Sequence, residues 1–103
     1  MIIYNVTTNV ENSIHDEWLK WMQEVHIPEV METGMFLESK LCRMISNKEP
    51  DGTTYAIQYF CKDMATLHKY EVQFSKPLRD SYKAKYEGKY VVFRSIMEVL
   101  STH

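Results

Sequence analysis

The chain has 103 residues, of which 45% are hydrophobic and 25% charged, a composition that predicts one globular domain spanning residues 1–103. Its formal net charge of −2 gives no field to attract nucleic acid or an acidic membrane. The first residues lack the basic and apolar regions of a signal peptide, and no stretch approaches the ~20 apolar residues of a membrane helix. We therefore expect a cytoplasmic protein in which the two cysteines, Cys42 and Cys61, stay reduced.

The first predicted strand is Ile2–Val10, where apolar and polar residues alternate. Ser13 then begins a capping-box-like sequence, which predicts the start of a helix. The helix carries an apolar stripe at helical spacing, formed by Ile14, Trp18, Trp21, Met22 and Val25. Because Pro28 cannot continue an interior hydrogen bond, the helix is predicted to end or kink near His26, with a last turn closing at Gly34.

The second and third strands are predicted at Phe36–Ile45 and Thr53–Lys62. The turn sequence 49–52 lies between them, with a proline and a glycine in the order that a tight turn prefers. A type I turn with a glycine bulge would place Cys42 across from Phe60. Because side chains alternate along a strand, the two cysteines would point to opposite faces, and we expect no disulfide.

The second helix is predicted to begin at Asp63, whose side chain can cap it. Its apolar positions step by three or four residues, but Pro77 falls inside the pattern. We therefore predict a break, with Ser75 capping a second segment that ends at Gly88. Lys89–Leu100, rich in branched apolar residues, is the predicted fourth strand.

The order strand–helix–strand–strand–helix–strand predicts a ferredoxin-like α+β fold: a βαββαβ chain with four antiparallel strands and both helices on one face of the sheet. The face beneath the helices is predicted to receive Ile2, Tyr4, Val6, Leu37, Leu41, Ile45, Ile57, Tyr59, Phe93 and Met97. The opposite face is predicted to receive Asn5, Thr7, Lys40, Cys42, Met44, Ala56, Gln58, Phe60, Val92, Arg94 and Ile96. A monomer usually avoids such a large apolar patch, so we expect the second face to be covered in a homodimer.

Several stretches of the sequence resemble the uncharacterised domain-of-unknown-function family 4286. They are 3–7 (IYNVT), 15–22 (HDEWLKWM), 26–28 (HIP), 33–36 (TGMF), 54–59 (TYAIQY) and 93–94 (FR). The resemblance runs over nearly the whole chain and implies the dimeric α+β-barrel superfamily, with no established activity and no agreed catalytic residues. More distantly, the order of elements is similar to cofactor-independent monooxygenases, muconolactone isomerases, chlorite dismutase-like haem proteins and ligand-sensing domains of transcription regulators. That wider likeness concerns the fold, and fold does not imply function.

Several kinds of site are not predicted. His15 and His26 would lie about 16 Å apart along a straight helix, too far to share a metal ion. No Cys-x-x-Cys or His-Glu-x-x-His motif occurs, so neither a metal nor another cofactor is expected. Residues 53–58 lack the basic–glycine–aromatic signature of an RNA-recognition domain, and no nucleic-acid partner is expected.

Two sets of residues are candidates for chemistry. His26, at a predicted helix end, would have its charged form stabilised and so could act as an acid near neutral pH; alternatively, it is a polar residue at a kink. Asn5, Gln58 and Arg94 lie on three adjacent strands and are predicted to converge on the second face of the sheet. There they would orient a carboxylate, enolate or carbonyl oxygen of a ligand, or bond one another and their mates across a dimer.

Two functions therefore stay open. In the first, a homodimer binds a small organic molecule between sheet and helices or near the barrel interior. The enzymatic version of this function adds acid–base or cofactor-free oxygenase or isomerase chemistry on a phenolic or carbonyl substrate. In the second, the chain is a non-catalytic ligand-sensing or structural interaction module. The absence of a catalytic motif favours the second, and the polar residues His26, Asn5, Gln58 and Arg94 favour the first. The sequence does not decide whether the protein is an enzyme.

Overall fold

A computed structural model of the chain describes residues 1–46 and 48–103. Its strands and α-helices are β1 (Ile2–Glu11), α1 (His15–Trp21), α2 (Ile27–Glu32), β2 (Glu38–Arg43), β3 (Gly52–Cys61), α3 (Met64–Gln73), α4 (Ser75–Tyr86) and β4 (Tyr90–Glu98). A 3-10 turn over Asn12–Ile14 precedes α1, and a π-helical turn over Met22–His26 joins α1 to α2. The predicted βαββαβ order is confirmed, with each predicted helix present as two consecutive segments.

The four strands form one antiparallel sheet in the order β2-β3-β1-β4. The helices cover one face of this sheet, which we call the helix face; the other is the open face. On β1 and β3 the helix face carries the buried core side chains, among them Tyr4, Tyr55, Ile57 and Tyr59. This confirms the predicted α+β, ferredoxin-like fold class.

Side-chain caps distinguish the two helical regions. The predicted cap at Ser13 is wrong, because its hydroxyl donates to the Glu11 carboxylate at 3.2 Å and no side chain caps α1. The predicted cap at Asp63 is confirmed, since its carboxylate accepts from the Thr66 backbone N–H at 2.8 Å. Ser75 begins α4 as predicted but does not cap it, because its hydroxyl donates at 2.7 Å to the backbone carbonyl four residues earlier.

The β2–β3 pairing differs from the predicted register. Cys42 lies opposite Ala56 instead of Phe60, a shift of four residues. This register differs from the tight turn expected at 49–52, and the segment before β3 contacts the 3-10 turn instead, where the Asn12 amide donates to the Pro50 carbonyl at 3.0 Å. A shift by an even number leaves every side chain on its predicted face. The two cysteines are free thiols, as expected.

β2 is also shorter than predicted. Leu37 and Ile45, both expected beneath the helices, lie just outside the strand and are exposed, Ile45 to 81%. Of Leu37, Leu41 and Ile45, the three residues of the predicted strand expected beneath the helices, only Leu41 packs against the core.

The face assignment of β4 was wrong. Arg94 lies opposite Val6 on the helix face, while Phe93 lies opposite Thr7 on the open face and is 61% exposed. The same parity moves Met97 to the open face, and Val92 and Ile96 to the helix face. Successive side chains of a strand point to opposite faces of the sheet. Assigning Phe93 to the wrong face therefore assigns all other side chains of β4 to the wrong face as well.

Candidate functional site

A widened helical turn brings His26 over the sheet. Pro28 has no N–H to donate to the carbonyl of Glu24, so an ordinary α-helical hydrogen bond cannot form there. The helix opens into a π-helical turn, in which the Ile27 N–H donates to the Met22 carbonyl. The predicted kink near His26 is confirmed, but the helix then continues as α2 to Glu32, so His26 lies inside it.

Beneath this turn, a cavity of about 240 Å³ lies between the helix face and the helices. Its walls come from β1, β3, β4, the π-helical turn, α2, α3 and α4. They are formed by Tyr4, Val6, Thr8, Met22, His26, Val30, Ile57, Tyr59, Tyr70, Leu78, Arg79, Asp80, Tyr82, Lys83, Tyr90, Val92 and Arg94. Aromatic and aliphatic walls with a few polar groups are the usual lining of a small-molecule site.

His26 is enclosed by aromatic side chains. Its ring stacks on Trp21 at 5.0 Å between centroids and meets the edge of Tyr82 at 5.3 Å. Burial, and then the positive charge of Arg94, lower the pKa of His26 to about 4. The imidazole is therefore neutral near pH 7, which contradicts the interpretation of His26 as a charged acid at a helix end. Burial disfavours the charged form, the helix continues past His26, and the cation Arg94 lies nearby.

Two buried polar atoms in the cavity lack partners. Within residues 1–46 and 48–103, the buried side-chain nitrogens and oxygens without a hydrogen bond are Nδ1 of His26 and the hydroxyl of Thr8. Both residues line the cavity. Leaving a buried polar atom unpaired costs about 1–3 kcal/mol, so such atoms commonly mark a site completed by water or a ligand.

The cavity tyrosines are neutral phenols. Burial raises the pKa of Tyr70 to about 12, and it also raises the pKa values of Tyr59 and Tyr82. Two of the phenol oxygens already accept hydrogen bonds: Tyr82 from the Trp18 indole, and Tyr4 from the Arg79 guanidinium at 2.8 Å. Sequence reasoning placed these tyrosines in the core but missed them as site residues. The available signal was that the aromatic residues of the second helical region are mostly tyrosines, which carry a polar group into the core.

The structure separates the predicted trio. Asn5 and Gln58 are paired across β1 and β3 on the open face, where the Asn5 amide donates to the Thr7 hydroxyl at 2.9 Å. Arg94 lies on the other side of the sheet and lines the cavity with His26. The predicted convergence of all three residues on one face was therefore wrong, and the structure instead brings together Arg94 and His26.

His15 belongs to a different cluster. Its Nε2 atom bonds to the Tyr55 hydroxyl, and its Nδ1 atom lies 2.9 Å from the Asp16 carboxylate. In the part of the chain that the structure describes, no three His, Cys, Asp or Glu side chains are grouped to hold a metal ion. None of the helices in that part is long and apolar enough to span a membrane.

Solved structures with this fold have little sequence in common with the chain. An ethyl tert-butyl ether D family protein from Bacillus halodurans has a TM-score of 0.70 at 14% identity, covering 97% of this chain and 100% of its own. SnoaB, a cofactor-independent oxygenase from Streptomyces nogalater, has a TM-score of 0.65 at 10% identity, with 98% and 95% covered. A dimeric ferredoxin-like protein from an uncultured marine organism has a TM-score of 0.63 at 14% identity, with 99% and 98% covered. At these identities the likeness concerns the fold alone, which is the ferredoxin-like α+β fold.

Sequence comparison identifies the family. No curated protein matches the chain. The model of a domain of unknown function, DUF4286, matches residues 1–100, which is nearly the full length and agrees with the resemblance noted in the sequence. The chain therefore belongs to the DUF4286 family.

Proposed function

We propose that this protein is a homodimer that binds a small organic molecule in the cavity between its sheet and its helices. The observation that carries the proposal is Nδ1 of His26, a buried nitrogen without a hydrogen-bond partner among the described residues, on a side chain that lines a cavity of about 240 Å³. A ligand with a hydroxyl or amide group would satisfy this atom. The aromatic side chains that line the cavity would bury the apolar part of the ligand.

The state of His26 favours binding over acid catalysis. With a pKa of about 4, His26 is neutral near pH 7, so it is not an imidazolium that could serve as a general acid there. A neutral imidazole with one free nitrogen is suited to orient a ligand through a hydrogen bond. Binding of a small molecule is therefore the function that the site supports best, and it is the first of the two functions predicted from the sequence, without its enzymatic version.

Titration with 2-naphthol, a neutral two-ring phenol, tests the proposal. Binding should shift the 15N resonances of the His26 ring and raise the melting temperature, because the ligand fills the cavity and pairs with the free nitrogen. His15 is an internal control in the same spectrum, since Tyr55 and Asp16 already occupy both of its nitrogens.

A matched variant is His26→Phe, which keeps a ring but removes the nitrogen. Loss of one neutral hydrogen bond should weaken the affinity about three- to tenfold. If the naphthol leaves the His26 resonances and the melting temperature unchanged, the cavity is not a site for such molecules. A shift confined to His15 would place binding elsewhere.

The proposal of a homodimer rests on apolar side chains that are exposed on the open face. Val91, Phe93 and Met97 are exposed there along β4, beside the polar pair Asn5 and Gln58. Monomers rarely leave such a contiguous apolar patch in water, and a two-fold contact is the commonest way to cover it. The dimeric ferredoxin-like protein of similar fold supports a second copy of this chain as the occupant.

Sedimentation equilibrium tests the dimer through one charged substitution. The wild-type chain should sediment at twice its mass of 12.3 kDa. Phe93→Asp should sediment as the monomer, because burying an unpaired carboxylate in the contact costs several kcal/mol.

Val72→Asp is the matched control, since Val72 is an exposed apolar residue of α3, away from the open face. It should remain dimeric at the same protein concentration. A wild-type chain that sediments at 12.3 kDa would refute the dimer, and dissociation of both variants would refute the assignment of the open face.

A further inference from the structure

We propose that the ligand of the cavity is a planar organic anion whose acidic group pairs with Arg94. This inference rests on the proposed function and names the chemical class of the ligand. It draws on the charges around the cavity, on the surroundings of Arg94 and on the shape of the walls.

The side chains that line the cavity carry more positive than negative charge. Arg79, Lys83 and Arg94 contribute positive charge, and Asp80 is the single carboxylate among the lining residues. His26 adds no charge near pH 7. The cavity therefore presents a positive field, which favours an anion over a neutral or cationic ligand.

Arg94 is the cation without a partner. Arg79 donates to the Tyr4 hydroxyl at 2.8 Å, and Lys83 lies 3.8 Å from Glu87. Asp80, which could have neutralised the site, is paired with Lys76 at 2.7 Å. No carboxylate in residues 1–46 or 48–103 forms an ion pair with Arg94.

Arg94 also acts on the interior of the cavity. Its charge opposes protonation of His26, and it favours the ionised forms of Tyr70, Tyr82 and Tyr90. Arg94 is an exposed side chain of β4 that lines the cavity, so its guanidinium is accessible to a ligand entering from solvent. Its planar donors match a carboxylate, which they can bind through two parallel hydrogen bonds.

The walls favour a flat body for this anion. Tyr59, Tyr70, Tyr82 and Tyr90 bring four rings to the lining. A cavity of about 150 Å³ is enough to hold benzene, so the observed 240 Å³ accommodates a substituted ring or a fused pair of rings. The carboxylate of such a molecule would meet Arg94, while a polar group at its far end would reach His26.

Two probes of nearly equal shape test the inference: 2-naphthoate, which is charged, and 2-naphthamide, which is neutral. Calorimetry at pH 7 and low salt should show the wild-type protein binding the carboxylate about tenfold more tightly than the amide, as a charge-assisted pair requires. Arg94→Met should bring this ratio close to one, and Arg94→Lys should restore part of it. Arg43→Met makes the same charge change at an arginine outside the cavity lining and should leave the ratio unchanged.

The outcomes separate this inference from the proposed function. If wild-type protein binds both probes equally, the preference for an anion is refuted while the cavity remains a binding site. A preference that survives in Arg94→Met refutes the assignment to Arg94. If neither probe binds and 2-naphthol also fails, both the inference and the proposed function are refuted.

Discussion

Replacing Trp18 with alanine is expected to lower the free energy of unfolding by about 3–5 kcal/mol, the usual cost of removing a large buried aromatic side chain. Trp18 is 0% exposed and packs on the Tyr55 ring at 4.8 Å between centroids. Its indole N–H donates to the Tyr82 hydroxyl, so the substitution removes a hydrogen bond as well as apolar contacts. Urea denaturation at one fixed protein concentration measures the effect, since a dimer's stability depends on concentration.

The same experiment has a positive and a negative control. Tyr59→Ala should also destabilise by several kcal/mol, because this ring is buried beneath the helices. Lys83→Ala should change the free energy of unfolding by no more than about 0.5 kcal/mol, since its side chain is largely in solvent. Equal denaturation midpoints for the three variants and the wild type would contradict the assignment of Trp18 and Tyr59 to the core.

His26 is expected to make stability fall as the pH is lowered from about 6.5 to about 4. In the folded protein its pKa is about 4, against 6.5 for an unperturbed histidine. Between these values the unfolded chain binds a proton that the folded chain does not, so protonation favours unfolding. The full contribution is roughly 3 kcal/mol, from a difference of about 2.5 pKa units at 1.36 kcal/mol each. Above pH 6.5 this group adds no pH dependence.

The His26→Phe variant isolates this contribution from that of the carboxylates, which also destabilise proteins in acid. The free energies of unfolding of both proteins are measured by urea denaturation from pH 4 to pH 7. The wild type should lose roughly 3 kcal/mol more than the variant over that range. Parallel curves would mean that His26 titrates alike in the folded and unfolded chains, so that it is not buried.

Local signals along the chain predicted most of the fold. Alternation in β1 and β3, the cap at Asp63 and the break before Pro77 each depend on residues close in sequence, and the structure contains all of them. Pro28 likewise predicted the kink near His26, because a missing N–H acts within one turn of helix. These features yielded the βαββαβ order, and the motifs along the chain yielded the family.

Two features depended on partners far away in sequence. In the β2–β3 pairing Cys42 lies opposite Ala56, and the segment before β3 bonds to Asn12, a contact that no local pattern signals. In β4, Val91, Val92 and Phe93 are successive apolar residues, so alternation alone does not choose a face. The pairing of Val6 with Arg94 makes the choice, and it sends Phe93 to the open face.

The sequence by itself thus determined the order of the elements, the fold class, the family and His26 as a residue of interest. Only the tertiary structure decided that Arg94 shares a cavity with His26, while Asn5 and Gln58 lie on the other side of the sheet. It also decided that His26 is a neutral ring instead of a charged acid. The physical reason is the same in both cases: strand parity and burial are set by the neighbours that a residue acquires on folding, here β1 for Arg94, and Trp21, Tyr82 and Arg94 for His26.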